Sequence, residues 1–448
     1  MEQIPDAASS LLAFSDVKRR AISSRCYRVK VPTSNGTSFT PGQTMNLDLA
    51  GNMQNSYYDF AQSYLLMTIT NTGVATPAND ATLDGHSGAY STIDRVQCIT
   101  GGQTVSDIQQ YNVLAAALMA QNTSPTWGMN VGSNLIGSSV NGDPCEGLII
   151  AGAGGSQRVA LPFILTALSN TTPQRYIPAF SRDMLRFRYY LASNVVAVKG
   201  TAPVIAYSEV EAVMYIVELS PDAQALVNSM CGGVYNILCG DYRTVNGSFV
   251  GATGGLTTVQ TLGFAVSSLE RVIVVMRNSA VEGQGFNSVG ARSLATLSEY
   301  QLFINGEAFP ARPVVLSGTA NAQGYGAEAW AETLVAQHAL SDFTHDCSVS
   351  MGAAGIGVNG IFPMTNATGA NAATTGQSLV AVELESMAGK SSSLYSGIST
   401  IGSVVQFRGV FSGAAAINGE TYNMSFFAQN TILLSLDMNG LGTFVVSV

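Results

Sequence analysis

Lysine is nearly missing from this chain of 448 residues, with Lys18, Lys30, Lys199 and Lys390 standing against sixteen arginines. Charged residues of both signs make up only 11%, where an ordinary soluble domain carries about 25%. A free monomer so thinly charged is poorly protected against association. Protein interfaces deplete lysine and retain arginine, whose planar guanidinium gives up its water more readily. The two scarcities point either to a surface largely covered by neighbours or to a lineage with lysine-poor composition.

Other absences narrow the chemistry. Three histidines leave little scope for imidazole catalysis. His338, His345, Asp346 and Cys347 cluster in sequence, but no second ligand pair at a matching spacing accompanies them, so they do not read as a metal site. Gly389-Lys390-Ser391 looks like the end of a phosphate-binding loop, yet the required earlier glycine is replaced by Leu384. The pairs Glu209 and Glu211, and Glu383 and Glu385, stand two apart on strand-like segments, which is ordinary for an outward face. Trp127 and Trp330 form no aromatic stripe of the kind that binds sugars or single strands. The expectation is a protein without cofactor, metal or catalytic activity.

Six cysteines include no C-x-x-C pair and read as reduced and mostly packed. No run reaches the roughly 18 apolar residues of a membrane helix. The opening MEQIPDAASS has neither a basic stretch nor a long apolar one, so synthesis without a signal peptide is expected.

Net charge is −9, which argues against a broad basic face for nucleic acid, and no sequence-specific nucleic-acid binding is expected. The exception is local. Lys18, Arg19, Arg20, Arg25, Arg28 and Lys30 crowd the first thirty positions, after the apolar Leu11, Leu12 and Phe14. This segment reads either as an amphipathic contact arm or as a solvated leader.

What the chain does contain is the same plan written twice. FAQSYLLMTI from Phe60 lies over FAVSSLERVI from Phe264, an offset of 204 that holds from RVQCITGGQ (Arg95) to EYQLFINGE (Glu299). Gly101-Gly102 and Asn305-Gly306 then coincide as two-residue hairpin turns. DIQQYNVLAAALMAQ from Asp107 and AEAWAETLVAQ from Ala327 are the best helix candidates, rich in alanine and leucine and free of glycine and proline. A small insertion before Ala327 moves the offset to 220, which brings LRFR (Leu185 to Arg188) over VQFR (Val405 to Arg408). RVALPF from Arg158 is set over LVAVEL from Leu379, and EVEAVMYIVEL from Glu209 over QNTILLSLDM from Gln429. After each helix comes a Gly- and Asn-rich loop, Asn122 to Gln157 and Ser341 to Gln377.

The closing segments alternate cleanly, with Val210, Ala212, Met214 and Ile216 on one face, and Ile432, Leu434, Leu436 and Met438 on one face of the other. That is the pattern of sheets buried on one side against a second sheet. The predicted fold class is all-β: two tandem jelly-roll β-sandwich domains, each with a short helix inserted. The expected boundaries are an arm over 1–24, a first jelly roll over 25–220, a helical linker over 221–233 and a second jelly roll over 234–448. In the linker, Ser220 is placed to cap a helix that starts at Pro221.

Two jelly rolls in succession, each with a helix and a Gly-rich loop after its first hairpin, resemble the double jelly-roll major capsid proteins of icosahedral DNA viruses. These include the adenovirus, virophage and tailless membrane-containing phage lineages. The stretch VALPFILTALSNTTPQRYIPAFSRDMLRFRYYLA from Val159 looks like a segment common in that family. The resemblance covers nearly the whole layout. It implies a virion protein whose copies form homotrimers, pseudo-hexagonal capsomers that tile the shell. It further implies capsomer-to-capsomer contacts, penton and minor capsid proteins as partners, and an inward arm up to Lys30 that meets an internal membrane or a minor protein. Two other readings stand beside it: a tandem jelly-roll coat protein of a small RNA virus, and a β-sandwich surface adhesin or carbohydrate-binding protein.

Overall fold

The computed structural model describes residues 24–447, apart from 140–146, 172–173, 194–197, 199, 201, 280–288, 290–291, 293–295, 317–326, 341–378, 386–396, 413–417 and 439–441. Period-two alternation makes its strands. β10 (Leu185–Leu191) buries Leu185, Phe187, Tyr189 and Leu191 while Arg186, Arg188 and Tyr190 reach outward, as a half-buried strand must.

In the first half the strands are β1 (Ser24–Pro32), β2 (Thr44–Leu49), β3 (Ser56–Asn71), β4 (Ala81–Thr82), β5 (Ile93–Thr100), β6 (Gln103–Gln109), β7 (Ile149–Ile150), β8 (Gly155–Pro162), β9 (Ile177–Pro178), β10 and β11 (Ile205–Leu219). The second half has β12 (Val234–Val250), β13 (Leu256–Leu262), β14 (Leu269–Asn278), β15 (Leu297–Ile304), β16 (Glu307–Val315), β17 (Val380–Glu383), β18 (Val405–Phe411), β19 (Thr421–Asp437) and β20 (Phe444–Ser447).

The two halves have the same sheet order. In the first, β1-β11-β3-β8 faces β2-β10-β5-β6; in the second, β12-β19-β14-β17 accompanies β13-β18-β15-β16. All neighbours pair antiparallel. Four strands against four, with β1 returning beside β11 and β12 beside β19, is the double jelly roll expected from the alternation.

The repeat is visible in the register itself. Gln97 of β5 stands opposite Arg188 of β10, and Gln301 of β15 stands opposite Arg408 of β18. Both hairpin turns take the left-handed backbone that a two-residue connection demands: φ is 56° and 78° at Gly101 and Gly102, and 51° and 84° at Asn305 and Gly306. β16 lies at the margin of its sheet, and Pro310 and Pro313 fall within it, where the missing N–H costs nothing.

Two local readings need correction. Asp107, Ile108 and Gln109 continue β6, and the helix begins only at Tyr111 and runs to Asn122. Asp107 is held in the hairpin by Arg95, and Gln110, at φ 51°, breaks the strand before the helix. The RVALPF block keeps its place: Val159, Leu161 and Phe163 face the first core as Val380, Val382 and Leu384 face the second. The stretch from Asn122 to Gln157, read as loop, includes short helical turns at Pro125–Trp127 and Ser133–Leu135, the strand β7 and the start of β8. Ser341 to Gln377 lies outside the described residues.

Two hydrophobic clusters fill the molecule. The second sandwich packs Val272, Val274, Met276, Phe407, Phe426 and Tyr422 into its own core. The other, larger cluster is that of the first sandwich, and it also takes in Ile273, Val275 and Phe427, which point the opposite way from their neighbours in β14 and β19. Farther along β19, Ile432, Leu434 and Leu436 join that first cluster too. One long strand thus serves both cores. Burying both faces of a sheet explains why β14 reads as the unbroken apolar run Val272 to Met276 rather than an alternation.

Candidate functional site

With no catalytic constellation in the sequence, the groups of interest are the basic segment and the joint where the two sandwiches meet. Lys18, Arg19 and Arg20 lie outside the described residues. Arg28 and Lys30 are on the exposed side of β1, whose other face half-buries Tyr27, Val29 and Val31, and Arg25, also exposed, lies over the Tyr27 ring on that second face. Arg25 Nη2 donates to Glu218 Oε2 at 2.7 Å, and Lys30 is paired with Glu211. Glu211 also accepts from Arg158 at 3.1 Å, and Arg158 stands 3.4 Å from Glu209. Lys30 is therefore part of a charge ladder that runs across β1, β11 and β8, and Arg25 forms a separate pair with Glu218. Arg28 is exposed, and among the described residues no carboxylate forms an ion pair with it.

The joint is polar at its centre and aromatic at its end. Ser106 on β6 donates to Asp241 Oδ1 on β12 at 2.5 Å, and both residues are buried. Thr244 Oγ1 donates to the carbonyl of Gln109 at 3.0 Å, and Gln110 and Ser425 are hydrogen-bonded. Burial pushes the Asp241 carboxyl up to about 6, against the hydrogen bond from Ser106 and the nearby Arg243 charge, which pull it down. The thiols of Cys98 and Cys239, close by, are also pushed up by burial, Cys239 to about 12. They are packed and unreactive, as expected of buried cysteines.

At the other end, the linker helix Pro221–Cys231 turns the chain from one sandwich to the next. Ser220 caps it by accepting from the Ala223 N–H at 3.3 Å, and Gly232, at φ 61°, ends it. Gln224 is buried here: it accepts from Tyr57 Oη and donates to Tyr235 Oη, each at 2.9 Å. Phe180 and Tyr235 meet edge to face at 5.2 Å. The Arg182 N–H donates to the Gly442 carbonyl at 2.9 Å, and Gly240 N–H to the Asn170 carbonyl at 2.8 Å. A cleft of about 660 Å³ opens between this helix and the outer faces of β3 and β11.

The acid pairs behave differently from each other. Glu209 is exposed, as an outward face predicts, but Glu383 is half-buried, and burial pushes its carboxyl up to about 7. Glu383 Oε1 accepts the backbone N–H of Glu385 at 2.8 Å, and Glu385 lies 3.3 Å from His338 Nε2. The face of β17 at Glu383 is covered by the helix Ala327–Val335, which sequence alternation alone does not reveal. His345, Asp346, Cys347 and the Gly389-Lys390-Ser391 stretch lie outside the described residues. Among the described residues, no group of three or more His, Cys, Asp or Glu side chains is placed to hold a metal. No described helix is long and apolar enough to cross a membrane.

The Ser106–Asp241 contact was not anticipated from sequence. Its one signal is an acid, Asp241, directly after the run Ile237-Leu238-Cys239-Gly240, which carries no polar side chain but a thiol. A buried carboxylate requires a partner, and sequence does not say that the partner lies 135 residues earlier.

Two jelly rolls in tandem with matching strand order, joined by a short capped helix, define the double jelly-roll architecture. That is the fold of viral major capsid proteins. The PBCV-1 virus capsid structure is similar over 96% of this chain and 98% of its own, at 11% identity and a TM-score of 0.61. The mavirus major capsid protein is similar over 100% of this chain and 96% of its own, at 11% identity and a TM-score of 0.56. A chain of the Sputnik virophage is similar over 100% and 93%, at 10% identity and a TM-score of 0.56. No protein-family model matches the sequence, and no curated protein matches it.

Proposed function

We propose that this chain is the major structural subunit of an icosahedral virus shell, working without catalysis as part of the virion. The observation that carries this reading is the matched order of the two sandwiches, β1-β11-β3-β8 with β2-β10-β5-β6 and β12-β19-β14-β17 with β13-β18-β15-β16. Its likeness to capsid proteins over the full chain supports the same reading. Two near-equivalent units per chain let a threefold assembly present six similar sides. The subunit is accordingly a homotrimer, a pseudo-hexagonal capsomer that tiles with its neighbours and meets penton and minor capsid proteins. The working units are a first jelly roll over 25–220 and a second over 234–448, joined through 221–233.

The scarcity of lysine and of charge fits a surface covered on assembly. Of the six basic residues near the N-terminus, Lys18, Arg19, Arg20 and Arg28 are the ones we assign to an inner-surface contact, such as an internal membrane, because Arg25 and Lys30 have carboxylate partners. The test is the molar mass of the purified chain by light scattering after size exclusion, followed by electron microscopy of concentrated protein. A mass of three chains that survives dilution, with hexagonal arrays, is expected. A stable monomer that forms no lattice overturns the proposal and favours the adhesin reading.

A further inference from the structure

The cleft beside the linker helix is built for an apolar occupant. Its walls include Tyr57, Val217, Leu219, Val227, Tyr235 and Ile237. The helix forming one side buries only Gln224 among its eleven residues, and leaves Leu226 61% and Met230 78% exposed. These two, at i and i+4, lie on the same side of the helix and adjoin the Val227 and Cys231 that line the cleft. A capped helix with an apolar stripe and almost no tertiary burial is short of a partner.

The chain supplies one at the right spot. β1 begins at Ser24, which is paired with Leu219, a wall of the cleft. The chain before Ser24 thus leaves the sheet at the rim. Those residues include Leu11, Leu12 and Phe14 within four positions, with Val17 and Ile22 nearer the sheet. From the rim, the nine residues between Phe14 and Ser24 span about 30 Å if extended and about 14 Å if helical. Either length is sufficient for a cleft that starts one strand away.

We propose that residues 1–23 of this chain fold back along the linker helix and seat Leu11, Leu12 and Phe14 in the cleft between the helix and the outer faces of β3 and β11. The segment then fastens the joint between the sandwiches, and its basic residues Lys18, Arg19 and Arg20 are carried on the outside of the docked arm. The inference concerns the isolated chain and does not depend on the capsid reading.

Two native cysteines provide the assay. Cys231 lines the cleft, while Cys26, also exposed, is on β1. Alkylation by iodoacetamide is followed at each by peptide mass, in the full chain, in a chain lacking residues 1–16, and in a full-length variant with Leu11→Asp, Leu12→Asp and Phe14→Asp. Buried Cys98 and Cys239 stay unmodified while the fold is intact. The expected result is modification of Cys231 roughly tenfold faster in both altered chains, with Cys26, opposite the cleft wall Val217, quickening in the same direction. Equal Cys231 rates in all three overturn the proposal.

A Phe14→Cys variant in a Cys26→Ser background decides whose arm is seated. Mild oxidation is expected to link positions 14 and 231 within one chain, at the mass of a single chain. A linked pair of chains assigns the arm to a neighbouring copy and overturns docking within the chain.

Discussion

Ser106 and Asp241 are joined by a hydrogen bond of 2.5 Å across the meeting face of the two sandwiches, with both side chains buried. Burial raises the Asp241 carboxyl to about 6, so the folded chain holds a proton that an unfolded aspartate, near 3.9, releases. Between those values the folded state binds more protons, and its stability falls as pH rises. The contribution is complete below about pH 4, is lost through about pH 6 and is then constant; its size is on the order of 3 kcal/mol. Asp241→Asn should remove this component. Denaturant unfolding from pH 4 to 7 should show the variant gaining on the wild type by that order, and parallel curves would refute the assignment.

The Asp48–Arg186 pair carries the opposite sign. Arg186 donates to both carboxylate oxygens of Asp48, with Nε at 2.5 Å, and this hydrogen bonding lowers the Asp48 carboxyl below its ordinary value. Stability from this pair is present above the ordinary carboxylate range and is lost as pH falls through the lowered value. Both partners are partly exposed, so solvent limits the effect to less than about 1 kcal/mol. Arg186→Ala should leave stability at pH 3 unchanged and lower it slightly at pH 7.

Phe187 and Phe407 occupy equivalent places in the two sandwiches, and both are fully buried. Phe187 packs on Phe60 and Phe163 at 5.6 and 5.7 Å, and Phe407 on Phe426 at 5.3 Å. Truncating either to alanine should cost about 3–5 kcal/mol. Because β19 feeds both hydrophobic clusters, each variant should still unfold in one transition. Calorimetry that resolves two transitions in Phe407→Ala would show the sandwiches to be energetically separate.

Ser220→Ala removes the cap of the linker helix, at a cost of about 1 kcal/mol. With Gln224 its sole buried residue, the helix has little packing to compensate. Amide exchange in Pro221–Cys231 should accelerate by roughly tenfold, with the strands of both sandwiches unaffected. Uniform acceleration throughout the chain would mean that the helix is integral to the global fold.

The repeat was legible because hairpin turns and alternating strands leave residue-level marks. An offset of 204 carries Ile93–Thr100 onto Leu297–Ile304, and an offset of 220 carries Leu185–Leu191 onto Val405–Phe411. The signal failed where tertiary cover changes the pattern. β17 is only four residues long and buries Val380, Ala381 and Val382 in succession, and nothing in its sequence says that Ala381 and Glu383 face cover as well. Asp107 to Gln110 read as helix because the ion-pair partner of Asp107 on the neighbouring strand, Arg95, lies twelve residues away. The joint was unreadable for the same reason: a pattern internal to each strand says which residues are buried, but not against what.

The two prolines of β16 have a consequence for handling the protein in bulk. A sheet margin with a full row of N–H groups is a template on which another chain can grow a fibre. Pro310 and Pro313 interrupt that row at the open side of the β13-β18-β15-β16 sheet. Lateral growth from that margin is therefore hindered, leaving side-chain fit rather than backbone hydrogen bonding to decide which copies adhere there.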